Sequence, residues 1–113
     1  MSEYSTRKVN MQFRQETKGL ELLIYGIVDG KEVGVCRTEM GDPKVLMSDL
    51  ELFERIEDFS RPLIEYVIEL FSKRKAVHCV YLNEEASKKL KPIYEEHGYD
   101  EIEPNLLVAH YPI

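Results

Sequence analysis

Glycine is missing where a phosphate-binding loop would need it. The chain has six glycines, and none lies between Asp42 and His97. Within that span the stretch "LMSDLELFERIEDFSRPLIEYVIELF" (residues 46–71) reads as a strand, a turn and a helix. Such a junction suits a phosphate, because the first N–H groups of a helix have no helical partner and point outward. A loop that wraps a phosphate closely usually needs glycine, since a Cβ holds backbone and ligand apart. The stretch keeps the shape of a phosphate seat and lacks the residue that lets phosphate come close.

Cysteine is nearly absent too. Cys36 and Cys79 both fall in apolar, strand-like runs with no signal peptide ahead of them, which reads as reduced core residues of a cytoplasmic protein. They form no C-x-x-C pair, and His78, His97 and His110 show no metal-ligand spacing, so no metal site is expected. Neither cysteine has the base and electropositive setting that covalent catalysis requires. No apolar run approaches the roughly 18–20 residues of a membrane span. Basic residues are outnumbered, 15 Lys and Arg against 21 Asp and Glu, for a net charge of −6. That balance argues against nucleic acid and anionic membranes as main partners. The densest basic run, Lys73-Arg74-Lys75, sits where a helix should end and complements its dipole.

What is present describes an ordinary globular chain. Its 113 residues are 43% hydrophobic and 32% charged, which fits one domain, 1–113, with residues 1–7 polar and frayed. A chain of this size hides roughly 65% of its unfolded surface. Val9, Met11 and Phe13 alternate in a strand over 8–15, and Gly19 marks a turn. Leu20 to Val28 and Glu32 to Met40 are strands joined by Asp29-Gly30, a strong type I′ hairpin signal. A strand over 44–53 follows the Gly41-Asp42-Pro43 turn. Ser60 and Pro62 open a helix whose apolar stripe is Leu63, Ile64, Val67, Ile68, Leu70 and Phe71. Ala76 to Leu82 is a near-continuous apolar strand of interior type. Asn83 caps a second helix over 84–97, closed by Gly98, and Pro92 is expected to kink or divide it. One last strand over 101–111 is expected to bulge or break at Pro104-Asn105. Strand, helix and strand across 44–82 form a parallel crossover. The fold class is α/β (α+β): a mixed, mostly antiparallel sheet with a central parallel β-α-β unit.

Three segments resemble the GNAT superfamily of N-acetyltransferases. "VDGKEVGVCR" looks like that family's second and third strands, and "LMSDLELF…LIEYVIEL" like its fourth strand and the helix behind the cofactor. Asn83, Ala86, Leu90, Tyr94, Gly98 and Tyr99 look like its closing Asn…Ala…Leu-Tyr-x-x-x-Gly-Phe signature. The resemblance covers the chain from about Leu20 onward. Three departures accompany it. The family's glycine-bearing cofactor loop is replaced by "ERIEDFSRP", with Glu57 and Asp58 at its middle. The interval from Asn83 to Tyr94 is longer by about one helical turn. The two helices that commonly follow the family's first strand are missing.

The resemblance implies acetyl-CoA as cofactor. It implies Leu50 and Leu52 along the cofactor strand, Arg55, Ser60 and Arg61 around the phosphates, and Asn83 facing the pantetheine arm. It implies Asp49 or Glu51 as a base for the acceptor amine and Tyr94 as the acid for the thiolate leaving group. Each residue also has a structural alternative. Asp49 and Glu51 alternate with Leu50 and Leu52, as the solvent side of an amphipathic strand does. Arg55 and Arg61 can pair with Glu54, Glu57 or Asp58, and Tyr94 can be a core aromatic beside Leu90. The carboxylates in the loop repel phosphate, so acyl-CoA binding is expected to be weakened or lost. The alternatives are an active N-acetyltransferase and a non-catalytic protein-interaction module, each compatible with a homodimer or another protein partner.

Overall fold

Local signals place the turns, and the turns place the strands. In the computed structural model, which describes residues 10–42, 44–52 and 60–111, the chain opens with β1 (Met11–Lys18). For Asp42, Leu52 and residues 84–87 the backbone alone is described. The expected frayed start and most of segment 54–60, expected as a charged loop or one irregular helical turn and carrying Arg55, Glu57, Asp58 and Phe59, lie outside the described residues. β1 passes to β2 (Glu21–Val28) at Gly19, with no helix between them. Asp29 and Gly30 take φ of 53° and 77°, the pair of positive values a type I′ turn needs, and turn β2 into β3 (Lys31–Asp42). β4 (Val45–Leu52) is followed, after residues 53–59, by α1 (Ser60–Ser72), then β5 (Val77–Tyr81) and α2 (Glu84–Glu96).

α2 ends in a Schellman arrangement: Tyr99 N donates to Tyr94 O at 3.2 Å and Gly98 N to Glu95 O at 3.1 Å, with Gly98 at φ 89°. α2 runs through Pro92 as one helix, so of the kink or division expected there the division does not occur. Pro92 and Lys88, whose carbonyl loses its helical donor, are both exposed, so water can serve that carbonyl. The last strand is broken at Pro104-Asn105, one of the two outcomes expected there. It becomes a hairpin, β6 (Asp100–Glu103) and β7 (Leu106–His110), because Asn105 adopts φ 67° and reverses the chain.

The described strands form one sheet in the order β1-β2-β3-β4-β5-β7-β6, antiparallel except for β4 beside β5. Both helices lie on one face. Ile64, Ile68, Leu90, Ile93 and Tyr94 pack on Val80, Leu82, Leu107 and Ala109. Leu63, Val67 and Phe71 pack on Leu22, Ile24, Cys36 and Leu46. No helix among the described residues covers the opposite face, where Leu23, Arg37, Asp49 and Tyr81 fall by register. No helix among them is long and apolar enough to cross a membrane.

Candidate functional site

The pairing of β4 with β5 stops before β4 does. The two run parallel from Val45 opposite Val77 to Asp49 opposite Tyr81. β4 continues to Leu52, held by β3 through Gly34. β5 ends at Tyr81, and Leu82 N donates instead to Asn105 O at 3.0 Å. Among the described residues, Leu50–Leu52 therefore have no partner on the β5 side. A gap at the carboxyl ends of parallel strands is where α/β sheets take their ligands. The sequence dictates the gap: Asn83 starts α2 just as β4 has further strand to run.

The side chains around the gap divide by face. On the helix face, Leu82 and Tyr94 share one buried cluster, and Leu50 packs against it. Tyr94 is 2% exposed, and burial pushes its hydroxyl well above the usual tyrosine range, so it stays protonated. On the open face, Arg37 lies opposite Asp49 and reaches it at 3.8 Å and Glu51 at 2.7 Å. The bond to Glu51 is the main cause raising the Arg37 guanidinium above its ordinary value. Asp49, Arg37, Met47 and Tyr81 line a shallow depression of about 200 Å³ there. The structure thus brings Asp49 and Glu51 together and leaves Tyr94 on the other side of the sheet.

Arg61, expected beside a phosphate, is engaged by carboxylates of the chain itself. Arg61 stands in the first turn of α1, but its Nη1 bonds Glu96 Oε2 at the far end of α2 at 2.7 Å and Glu65 at 3.4 Å. Its Nη2 also donates to Glu96 Oε1 at 3.5 Å. Hydrogen bonding to Arg61 holds the Glu96 carboxyl below its usual value. His97 joins the same group through Glu65 at 3.1 Å. Ser60 is buried at the helix start, and Asn83 is exposed directly before α2. No group of three or more His, Cys, Asp or Glu suited to a metal occurs among the described residues.

A second arrangement escaped the sequence reading. Beneath the helices a chain of hydrogen bonds crosses three strands. Thr38 Oγ1 meets Ser48 Oγ at 2.7 Å, and Ser48 Oγ meets His78 Nε2 at 2.6 Å. His78 Nδ1 meets the Tyr99 hydroxyl at 2.5 Å, which accepts from the Tyr111 hydroxyl at 2.8 Å. Thr38, Ser48, His78 and Tyr99 are each 2% exposed or less. Burial drives the His78 pKa down from 6.5 to about 3, so the ring is neutral. With Tyr111 donating to Tyr99, the Tyr99 proton goes to Nδ1, and the ring's own proton sits on Nε2 and goes to Ser48. The signal was available: Thr38, Ser48 and His78 are polar residues at inward positions of three neighbouring strands.

The overall geometry matches solved acetyltransferases. The Campylobacter jejuni N-acetyltransferase PseH superposes with a TM-score of 0.58 at 15% identity, over 80% of this chain and 67% of that one. An acetyltransferase of the GNAT family from Streptococcus pneumoniae superposes with a TM-score of 0.56 at 14% identity, over 84% and 69%. The chain has the GNAT fold. No family model matches the sequence, and no curated protein does. The fold is therefore shared with the GNAT enzymes through backbone architecture, with little sequence in common. Within the GNAT fold, the β1–β2 connection is a tight turn, so the sheet face opposite α1 and α2 carries no helix from that connection.

Proposed function

We propose that the chain is an N-acetyltransferase-related GNAT domain that binds acyl-CoA weakly, with the pantetheine arm between β4 and β5. The observation that carries this reading is the end of the β4–β5 ladder at Asp49 and Tyr81. Backbone groups of Leu50–Leu52 on the side away from β3, with no strand beside them among the described residues, suit the amides of such an arm. The residues fit the arm better than they fit the pyrophosphate. The loop lacks glycine, and Arg61 is engaged by Glu65 and Glu96. In this reading Leu50, Leu52 and Asn83 line the arm, and Arg55, Ser60 and Arg61 serve the phosphates.

Acyl-CoA, when bound, supplies an acetyl thioester. The chain's own part is proton handling. Asp49 or Glu51 takes the proton of the acceptor amine, after Arg37 gives up its hold, and Tyr94, kept protonated by burial, donates toward the sulfur. These groups stand on opposite faces, so they act together only through the gap. Arg37's engagement of both candidate bases favours a second reading, a non-catalytic interaction module. There the open sheet face packs on a protein partner or a second copy, in the cytoplasm.

Calorimetric titration of acetyl-CoA separates the readings. The wild type is expected to bind weakly. Glu96→Gln, which removes the nearer of Arg61's two carboxylate partners, is expected to bind several-fold more tightly, and Arg61→Ala about tenfold more weakly, as loss of a charge-assisted bond implies. No heat from any of the three up to millimolar cofactor would retire the cofactor reading in favour of the interaction module.

A further inference from the structure

The buried hydrogen-bond chain passes next to the place where the strands part. Ser48 immediately precedes Asp49, the last β4 residue paired with β5. Its hydroxyl is held on both sides: by Thr38, directly opposite on β3, and by His78 on β5. Tyr99 reaches His78 because the Gly98 turn directs the chain back under α2. Tyr111 ties in the far side, its hydroxyl to Tyr99 and its backbone N to Ala76 O at 2.8 Å, just before β5.

We propose that Thr38, Ser48, His78, Tyr99 and Tyr111 form a clasp that fixes where β4 and β5 separate. They are positioning residues: they set the root of the gap and touch nothing that enters it. A parallel ladder is slightly weaker per residue than an antiparallel one, and this ladder is short, so its open end needs a lateral tie. Apolar residues of similar size would fill the same space without the cost of desolvating polar groups. What the hydroxyls and the imidazole add is direction. Each bond requires one particular partner, so a slip of β4 against β5 leaves buried groups unpaired. The same chain backs the candidate acid, since the Tyr94 and Tyr99 rings lie 5.3 Å apart. The link to the gap as a cofactor route rests on the proposed function; the clasp itself does not.

Amide hydrogen exchange on the full chain tests it, comparing wild type, Ser48→Ala, Thr38→Val and a control, Val67→Ala, which truncates a buried apolar side chain and leaves every hydrogen bond of the clasp in place. In Ser48→Ala, amides of residues 48–50 and 80–82 are expected to exchange about tenfold faster, while those of β1 and β2 keep their rates. Val67→Ala is expected to speed exchange uniformly if at all. Thr38→Val keeps the Ser48–His78 bond and the side-chain shape, so it folds even where Ser48→Ala does not, and its acceleration is expected at 48–50 rather than 80–82. Uniform acceleration in the clasp variants, or none, would overturn the proposal. Acetyl-CoA titration of the same proteins is expected to show about fivefold weaker binding by Ser48→Ala. A wild type that binds no cofactor sinks the cofactor reading and leaves the exchange rates to decide the clasp.

Discussion

Between pH 7 and pH 4 the protein is expected to lose about 3 kcal/mol of stability through His78 alone. In the unfolded chain this ring takes a proton near pH 6.5; in the folded chain burial delays it to about 3. At pH 7 both states are neutral there and the ring contributes no pH dependence. As pH falls below 6.5 the unfolded state binds the proton first, and stability drops by about 1.4 kcal/mol per pH unit until the folded ring titrates. The rings around it are Phe71, edge-on at 5.0 Å, and Tyr99 at 5.5 Å. Burial raises the Tyr99 and Tyr94 hydroxyls and the Cys36 thiol, the last to about 11, so none of them changes charge in this window. Glu96 and Glu101 are also held below their usual 4.5, and their contribution is lost at lower pH, as their folded forms take protons. Chemical denaturation at pH 7, 6 and 5 checks the claim. His78→Gln, which can hydrogen-bond but not charge there, should start less stable and show a much flatter slope. An unchanged slope would remove His78 from the account.

The second large effect is Phe71→Ala, expected to cost about 3–5 kcal/mol. Phe71 is fully buried, on the inward side of α1, among Leu22, Ile24, Leu46 and Leu63. Truncating it removes a large apolar area and leaves a cavity that the strands, pinned by their ladders, cannot fill. Total stabilities of about 5–15 kcal/mol make this a large share. The melting temperature should fall by roughly 15–30 °C, at a few degrees per kcal/mol for a domain of this size. The two effects are coupled, because the Phe71 ring is part of the wall that keeps His78 dry. Opening that wall should let His78 titrate nearer its ordinary value, so Phe71→Ala is expected to show a shallower acid slope than the wild type. Non-additivity of this kind is expected for residues in contact.

The fold was legible wherever a local rule decided it. Asp29-Gly30 required a hairpin, Gly98 closed α2, and Ser60 with Pro62 opened α1, because each depends on a few adjacent residues. The parallel β4–β5 pair followed from the helix between them. Alternatives stayed open where two local rules competed. At Pro104-Asn105 a continuing apolar pattern argued for one strand, and the tolerance of asparagine for positive φ made it two. At Pro92 the helix continues, and the residue whose carbonyl loses its donor, Lys88, is exposed, where water can serve it. The site was less legible. Its strand end could be placed from Asn83 and the length of β4, but partners far along the chain could not. The folded chain brings Glu96 to Arg61 from the end of another helix, a partner that sequence reasoning did not find. The clasp needed the registers of three strands and the return of Tyr99 and Tyr111 before its members could be seen as one group.

The central claim is that the gap beyond Asp49 and Tyr81 admits an acyl-CoA arm. Its most direct test is an acetyl-CoA titration followed by backbone amide resonances of the isotope-labelled protein. The account predicts shifts concentrated at residues 50–52, 81–83 and the start of α1, saturating with cofactor and weaker in Arg61→Ala. An unchanged spectrum at millimolar acetyl-CoA, or shifts confined to other parts of the sheet, would contradict it.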